Sequence, residues 1–176
     1  MRTRSLRVAV THATGLGWGS GDGLPSAPRV STTPIVSMGL DCGQVLAALE
    51  SAPEPAREWM LVAYGLPDYV SQRMRERVFE RLRAAVAAEK GQPRTSRFLP
   101  FVRAAAGAVA RRNLTRRGVT FSAIAREAGI DPRSKGRWQP YYDAVEHTID
   151  HWEEEAARAA KRYLRDRTHD GIVLGA

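Results

Sequence analysis

From residue 42 to about residue 167 the apolar residues recur at intervals of three and four, and no run keeps the two-residue period of a strand. Met74, Val78, Leu82 and Val86 follow this rhythm. So do Phe98, Phe101, Val102, Ala105 and Val109, and later Val145, Ile149, Trp152, Ala156, Ala159 and Tyr163. Short breaker segments divide the rhythm: Ala52-Pro53, Gly65-Leu66-Pro67-Asp68, Gly91-Gln92-Pro93 and Gly129. Alanine, arginine and glutamate are abundant while β-branched residues are scarce, which favours helix. The expected class is all-α: a helical bundle ending in a long C-terminal helix. The spacing predicts helices over 42–51, 54–64, 70–89, 96–113, a short pair within 119–139, and 141–167.

Residues 1–38 break the rhythm. They are rich in Gly, Ser, Thr and Pro and show no sustained period, so they read as a disordered or mis-annotated N-terminal extension. The helical domain is expected over 39–170 with the helix-turn-helix at 119–139, and 171–176 as a flexible tail. At 176 residues the chain has room for one compact domain. Its single cysteine, Cys42, excludes an intramolecular disulfide and argues against a Cys-based zinc site. No 18-residue apolar run is present, so no membrane span is expected, and the basic first residues lack the apolar core of a secretory signal. The expected location is the cytoplasm.

The net charge of +8 is unevenly held. Residues 71–117 carry 13 Lys+Arg against 3 Glu, whereas 141–176 carry 5 basic against 8 acidic residues. A basic field of this kind favours a polyanionic partner. It lies just before GVTFSAIAREAGIDPRSKGRWQP, residues 118–140. There, Thr120 or Ser122 can cap a short helix whose apolar stripe is Phe121, Ile124, Ala125 and Ala128. Gly129 suits a left-handed turn, and Asp131-Pro132 can cap and open a second helix. Helix, glycine turn and basic second helix form the pattern of a helix-turn-helix. The second helix would offer Arg133, Ser134, Lys135 and Arg137 to the major groove, where arginine can read guanine bidentately. An ordinary helical hairpin with a solvated basic face has the same pattern. Pro140 is expected to hold Gln139 extended and to end this helix after about seven residues. Trp138 is read as an anchor on the core. Arg111, Arg112, Arg116 and Arg117, which directly precede the unit, are the candidate phosphate contacts.

The last helix repeats its apolar residues like a heptad, which serves packing on the bundle or pairing with a second chain. Asp143, His147, His151 and Glu155 stand at successive four-residue steps on it, a spacing that could hold a metal, but the face is read as solvated. No phosphate loop, His-Glu-x-x-His motif or nucleophile elbow is present, so neither an enzyme nor a cofactor is expected.

The order of elements resembles that of phage and prophage antitermination proteins of the Q type: a leader helix, the segment REWMLVAYG, basic helices, then a helix-turn-helix ending in Trp-x-Pro. The best-matching stretch is FSAIAREAGIDPRSKGRWQPYYDAVEHTIDHWEEEA, and the resemblance covers about residues 40–165. It implies a protein that binds double-stranded DNA at a late promoter, engages host RNA polymerase and carries it past terminators. The base-reading role then falls on Arg133, Ser134, Lys135 and Arg137, and the polymerase surface on the helices around Trp59 and Arg73–Arg83. Members with a Cys-rich zinc element differ from this chain. A helix-turn-helix repressor or activator, working as a homo-oligomer, and a phage DNA-packaging subunit are the alternatives.

Overall fold

The computed structural model describes residues 6, 7, 10, 42–65 and 67–173. The described residues form six helices of full length and no strand: α1 (Cys42–Glu50), α2 (Glu54–Tyr64), α3 (Gln72–Lys90), α4 (Phe98–Thr115), α5 (Phe121–Ala128) and α6 (Lys135–Val173). Single 3-10 turns lie at Pro67–Tyr69 and Pro132–Ser134. The fold is all-α, as the periodicity requires.

Local chemistry sets the boundaries. The Ser71 hydroxyl accepts from the Met74 amide at 3.1 Å and opens α3, which Gly91 ends. The Thr120 hydroxyl accepts from the Ala123 amide and opens α5, which Gly129 ends at φ 65°. Only glycine enters that left-handed region without strain, and the turn lets Ile130 fold back half-buried against the core. The Asp131 carboxylate accepts from the Arg133 amide at 2.9 Å and starts the turn that leads into α6.

The 39-residue α6 is the axis of the bundle and packs on each of α1 to α4. Trp59, Leu82, Val86, Phe101, Val145 and Ile149 fill the space between them at 0–1% exposure. Each such side chain contributes about 1.5–3 kcal/mol by leaving water. The heptad-like residues Val145, Ile149, Trp152, Ala156 and Ala159 are therefore used inside this chain's own core.

Three expectations differ from the structure. First, α6 runs unbroken through Pro140, so the second helix of the 119–139 unit and the C-terminal helix are one, and Gln139 is helical. A proline at 140 removes one hydrogen bond, to the Gly136 carbonyl, and both residues are exposed, where water can replace it. Trp138, Ala144 and Val145, buried on either side, hold the register. Second, Leu6 and Arg7 are helical, as is Val10, and Leu6 and Val10 are fully buried, although the composition of 1–38 predicts disorder throughout. Leu6 and Val10 stand four apart and share one helical face, a local signal that the Gly/Ser/Thr/Pro composition of the whole segment obscures. The rest of 1–38 lies outside the described residues. Third, α6 passes the expected limit at 170 and reaches Val173. No proline interrupts 165–173, and the single Gly171 leaves the helix continuous. Residues 174–176 lie outside the described residues.

One buried carboxylate joins these parts. Glu153 on α6 is 0% exposed. It accepts from Nε and Nη2 of Arg7, from Trp59 Nε1 at 3.1 Å and from the Tyr64 hydroxyl at 2.6 Å. Charged and neutral donors thus surround it, which offsets the cost of taking the charge from water. Burial, reinforced by Glu153, pushes the Tyr64 phenol well above its usual range. Burial first, then Glu153 and Glu146, also raises the Asp150 carboxyl.

Candidate nucleic-acid interface

Two helices joined by the Gly129 turn present the candidate site. Ile124, Ala125 and Ala128 bury the inner face of α5, which packs on α4. Trp138 fixes the start of α6. It is 5% exposed, and its ring lies 4.5 Å from that of Phe101 on α4. Tyr141 adds an edge contact to Phe98 at 5.6 Å. The aromatic pairs hold the first turns of α6 against the start of α4, as expected of an anchoring tryptophan.

These contacts leave the outer faces to water. Arg133, Lys135 and Arg137 are exposed, and their side chains form no ion pair among the described residues. Ser134 is half-buried, and its hydroxyl donates to the Asp131 carbonyl, so it closes the turn. A small cleft brings Val119, Phe121 and Ile124 against Lys135, Gln139 and Tyr142. The segment that carries Arg116 and Arg117 into α5 therefore runs beside the first turns of α6. Both arginines are exposed and without an ion pair among the described residues.

Arg111 and Arg112 are deployed differently. Arg112 binds Glu146 on α6 and donates to Asn113 Oδ1 at 3.2 Å. Burial works against its charge, but the hydrogen bond and charge of Glu146 outweigh it and leave the guanidinium pKa raised. Arg111 stands 3.5 Å from Glu127 on α5, with both groups about half exposed. These two arginines tie α4 to α6 and α4 to α5. Further upstream, Arg77 and Arg81 both end on Glu58 of α2, which is 3% exposed, and Arg81 also reaches Glu54 at 3.0 Å. Of the 13 basic residues in 71–117, six form ion pairs among the described residues: Arg77, Arg81, Arg83, Lys90, Arg111 and Arg112.

Sequence reasoning does not single out Arg97. It precedes α4, is exposed, and its guanidinium Nη1 lies 3.2 Å from where a Cβ on Gly129 would stand. Thirty-two residues separate the two positions, so no local pattern could pair them. Arg126 is also exposed, on the face of α5 opposite Ile124 and Ala128. Its place follows from helical spacing. His147 and His151 are exposed, each 3.7 Å from a different glutamate, Glu89 and Glu155. Among the described residues no group of three or more His, Cys, Asp or Glu side chains could hold a metal. Nor is any helix among them long and apolar enough to cross a membrane.

Comparison of the chain with protein-family models, with curated proteins and with solved structures finds no match in any of the three.

Proposed function

We propose that this chain binds duplex DNA through α5 and the first turns of α6, and that it serves as a transcription antitermination factor of the phage Q type acting on host RNA polymerase. The observation that carries the DNA reading is the set of exposed cations around the Gly129 turn that form no ion pair among the described residues: Arg116, Arg117, Arg133, Lys135 and Arg137. Helix support does not need them, since Arg111 and Arg112 already provide the interhelical ties. The two carboxylates that flank the turn are engaged elsewhere: Asp131 accepts from the Arg133 amide at 2.9 Å, and Glu127 stands 3.5 Å from Arg111. Arg133 and Arg137, four apart and exposed, are assigned to base edges, and Arg116 and Arg117 to phosphates. The polymerase role rests on the resemblance. The alternative of a dimeric regulator loses one support, because the heptad-like face of α6 is buried within the chain.

The test is a selection of genomic fragments on the purified full chain at about 0.15 M salt, where nonspecific phosphate binding is weak. The expected outcome is one enriched site beside a promoter with a terminator downstream, followed by readthrough of that terminator in transcription with the protein present. Arg133→Ala or Arg137→Ala should relax preference at one base pair and cost about 1–3 kcal/mol. A two-fold operator with no readthrough would replace the antitermination reading with an ordinary regulator. Equal recovery of all fragments would overturn sequence-specific binding.

A further inference from the structure

We infer that the open groove between α2, α3 and α4 is a docking site for an amphipathic helix of a partner protein, with apolar residues on one face and acidic residues flanking them. The groove measures about 260 Å³, and its walls include Val62 and Ala63 of α2, Phe79 of α3, and Ala110 and Leu114 of α4. These side chains pack on the core from one side and stay uncovered on the other. The volume falls below the roughly 300–1,000 Å³ of a small-molecule site and suits one or two side-chain knobs. Gly107 and Ala106 lie in the wall as well, so a helix backbone can approach closely.

Charge decides what kind of helix fits. No carboxylate lines the groove, and α4 contains no acidic residue. Arg111 is part of its lining, and the Arg103 guanidinium stands 5.6 Å from the centre of the Phe79 ring. Arg75 and Arg83 sit one turn to either side of Phe79 and share its row on α3. The pairs that Arg83 and Arg111 make, with Glu80 and Glu127, are solvent-exposed and therefore weak enough to exchange partners. Acidic flanks would thus meet arginines on both walls. A single-stranded nucleic acid fits less well. Trp59 is only 1% exposed, and Arg103 already lies against Phe79, so bases find no open aromatic platform. The groove shares no residue with the cleft beside Lys135, so this inference stands or falls apart from DNA binding.

The experiment selects from a displayed library of helical peptides with an apolar stripe and randomised flanks, using the immobilised full chain. Gly107→Gln serves as the plugged control. A Cβ at 107 meets nothing closer than Arg111 Nη2 at 3.9 Å, and replacing a mid-helix glycine favours the helix, so this variant keeps its fold. A matched thermal melt verifies that. The expected result is enrichment of Asp/Glu-flanked peptides that bind wild type about tenfold more tightly than Gly107→Gln, with a similar loss for Arg103→Gln. Enrichment of neutral or basic flanks, equal binding to the plugged variant, or no enrichment overturns the proposal. Labelled oligo-dT that competes and is itself blocked by Gly107→Gln assigns the groove to nucleic acid and overturns it too.

Discussion

Around α2, α3 and the middle of α6, arginines end on carboxylates: Arg77 and Arg81 on Glu58, Arg7 on the buried Glu153. Between the end of α4 and the first turns of α6, arginines of the same chain end in solvent, as Arg116, Arg117, Arg133 and Arg137 do. Composition treats these residues alike, and both regions contribute to the same net charge. The fold separates them. In the first region the charge is cancelled inside the protein and serves cohesion. In the second it is left over at the ends of fixed helices and in the turns that join them, and leftover charge so placed is what an anionic partner can use.

Breaking the first region should have the largest effect. Glu153→Ala leaves the Arg7 guanidinium, the Trp59 N–H and the Tyr64 hydroxyl without their shared acceptor. It is expected to cost about 3–5 kcal/mol in urea denaturation. Glu153→Gln keeps an acceptor oxygen without the charge and should cost less. An exposed control from the second region, Lys135→Ala, should stay within about 0.5 kcal/mol of wild type. If Glu153→Ala is as mild as that control, the carboxylate does not hold the bundle and the contrast between the regions fails.

Next in size is the effect of salt on DNA binding. Removing one phosphate-binding cation lowers the slope of log K against log salt by about 0.9. Arg116→Ala with Arg117→Ala should therefore reduce the slope by roughly 2 and leave the melting temperature close to wild type. Arg77→Ala should do the reverse: lower the melting temperature and leave the slope unchanged. An equal reduction of slope by both variants would mean that the ion pairs to Glu58 open on DNA, and the division between cohesive and binding arginines would have to be redrawn.

Much of this division is not written locally in the chain. Helix positions are legible because burial enforces the three- and four-residue spacing, and the Thr120, Gly129 and Asp131 signals sit where short-range chemistry needs them. The anchoring role of Trp138 is legible too, since a large apolar ring at the end of a basic stretch has to go inside. Pro140 misleads because its cost depends on where the missing hydrogen bond falls, and here it falls on the exposed Gly136. Leu6 and Val10 are hidden by the composition of their neighbours. The pairings Arg112–Glu146 and Arg7–Glu153 span 34 and 146 residues, and only the folded bundle brings such partners together. The candidate base-reading residues are legible as a basic pattern, but which cations are left without a carboxylate depends on tertiary contacts.

The smallest expected effect is the most discriminating at a single residue. Arg116 ends α4 at φ 62°, the left-handed region in which a side chain is strained and glycine is the usual occupant. Relieving that strain is worth about 1–2 kcal/mol, and the greater freedom of an unfolded glycine offsets about 0.5–1 kcal/mol of it. Arg116→Gly should therefore stabilise the chain by up to about 1.5 kcal/mol in thermal or urea unfolding, while weakening duplex binding at low salt. Opposite signs in the two measurements would mean that the arginine is kept for its charge at a small cost in stability. A decrease in stability would place Arg116 among the cohesive arginines and remove it from the interface.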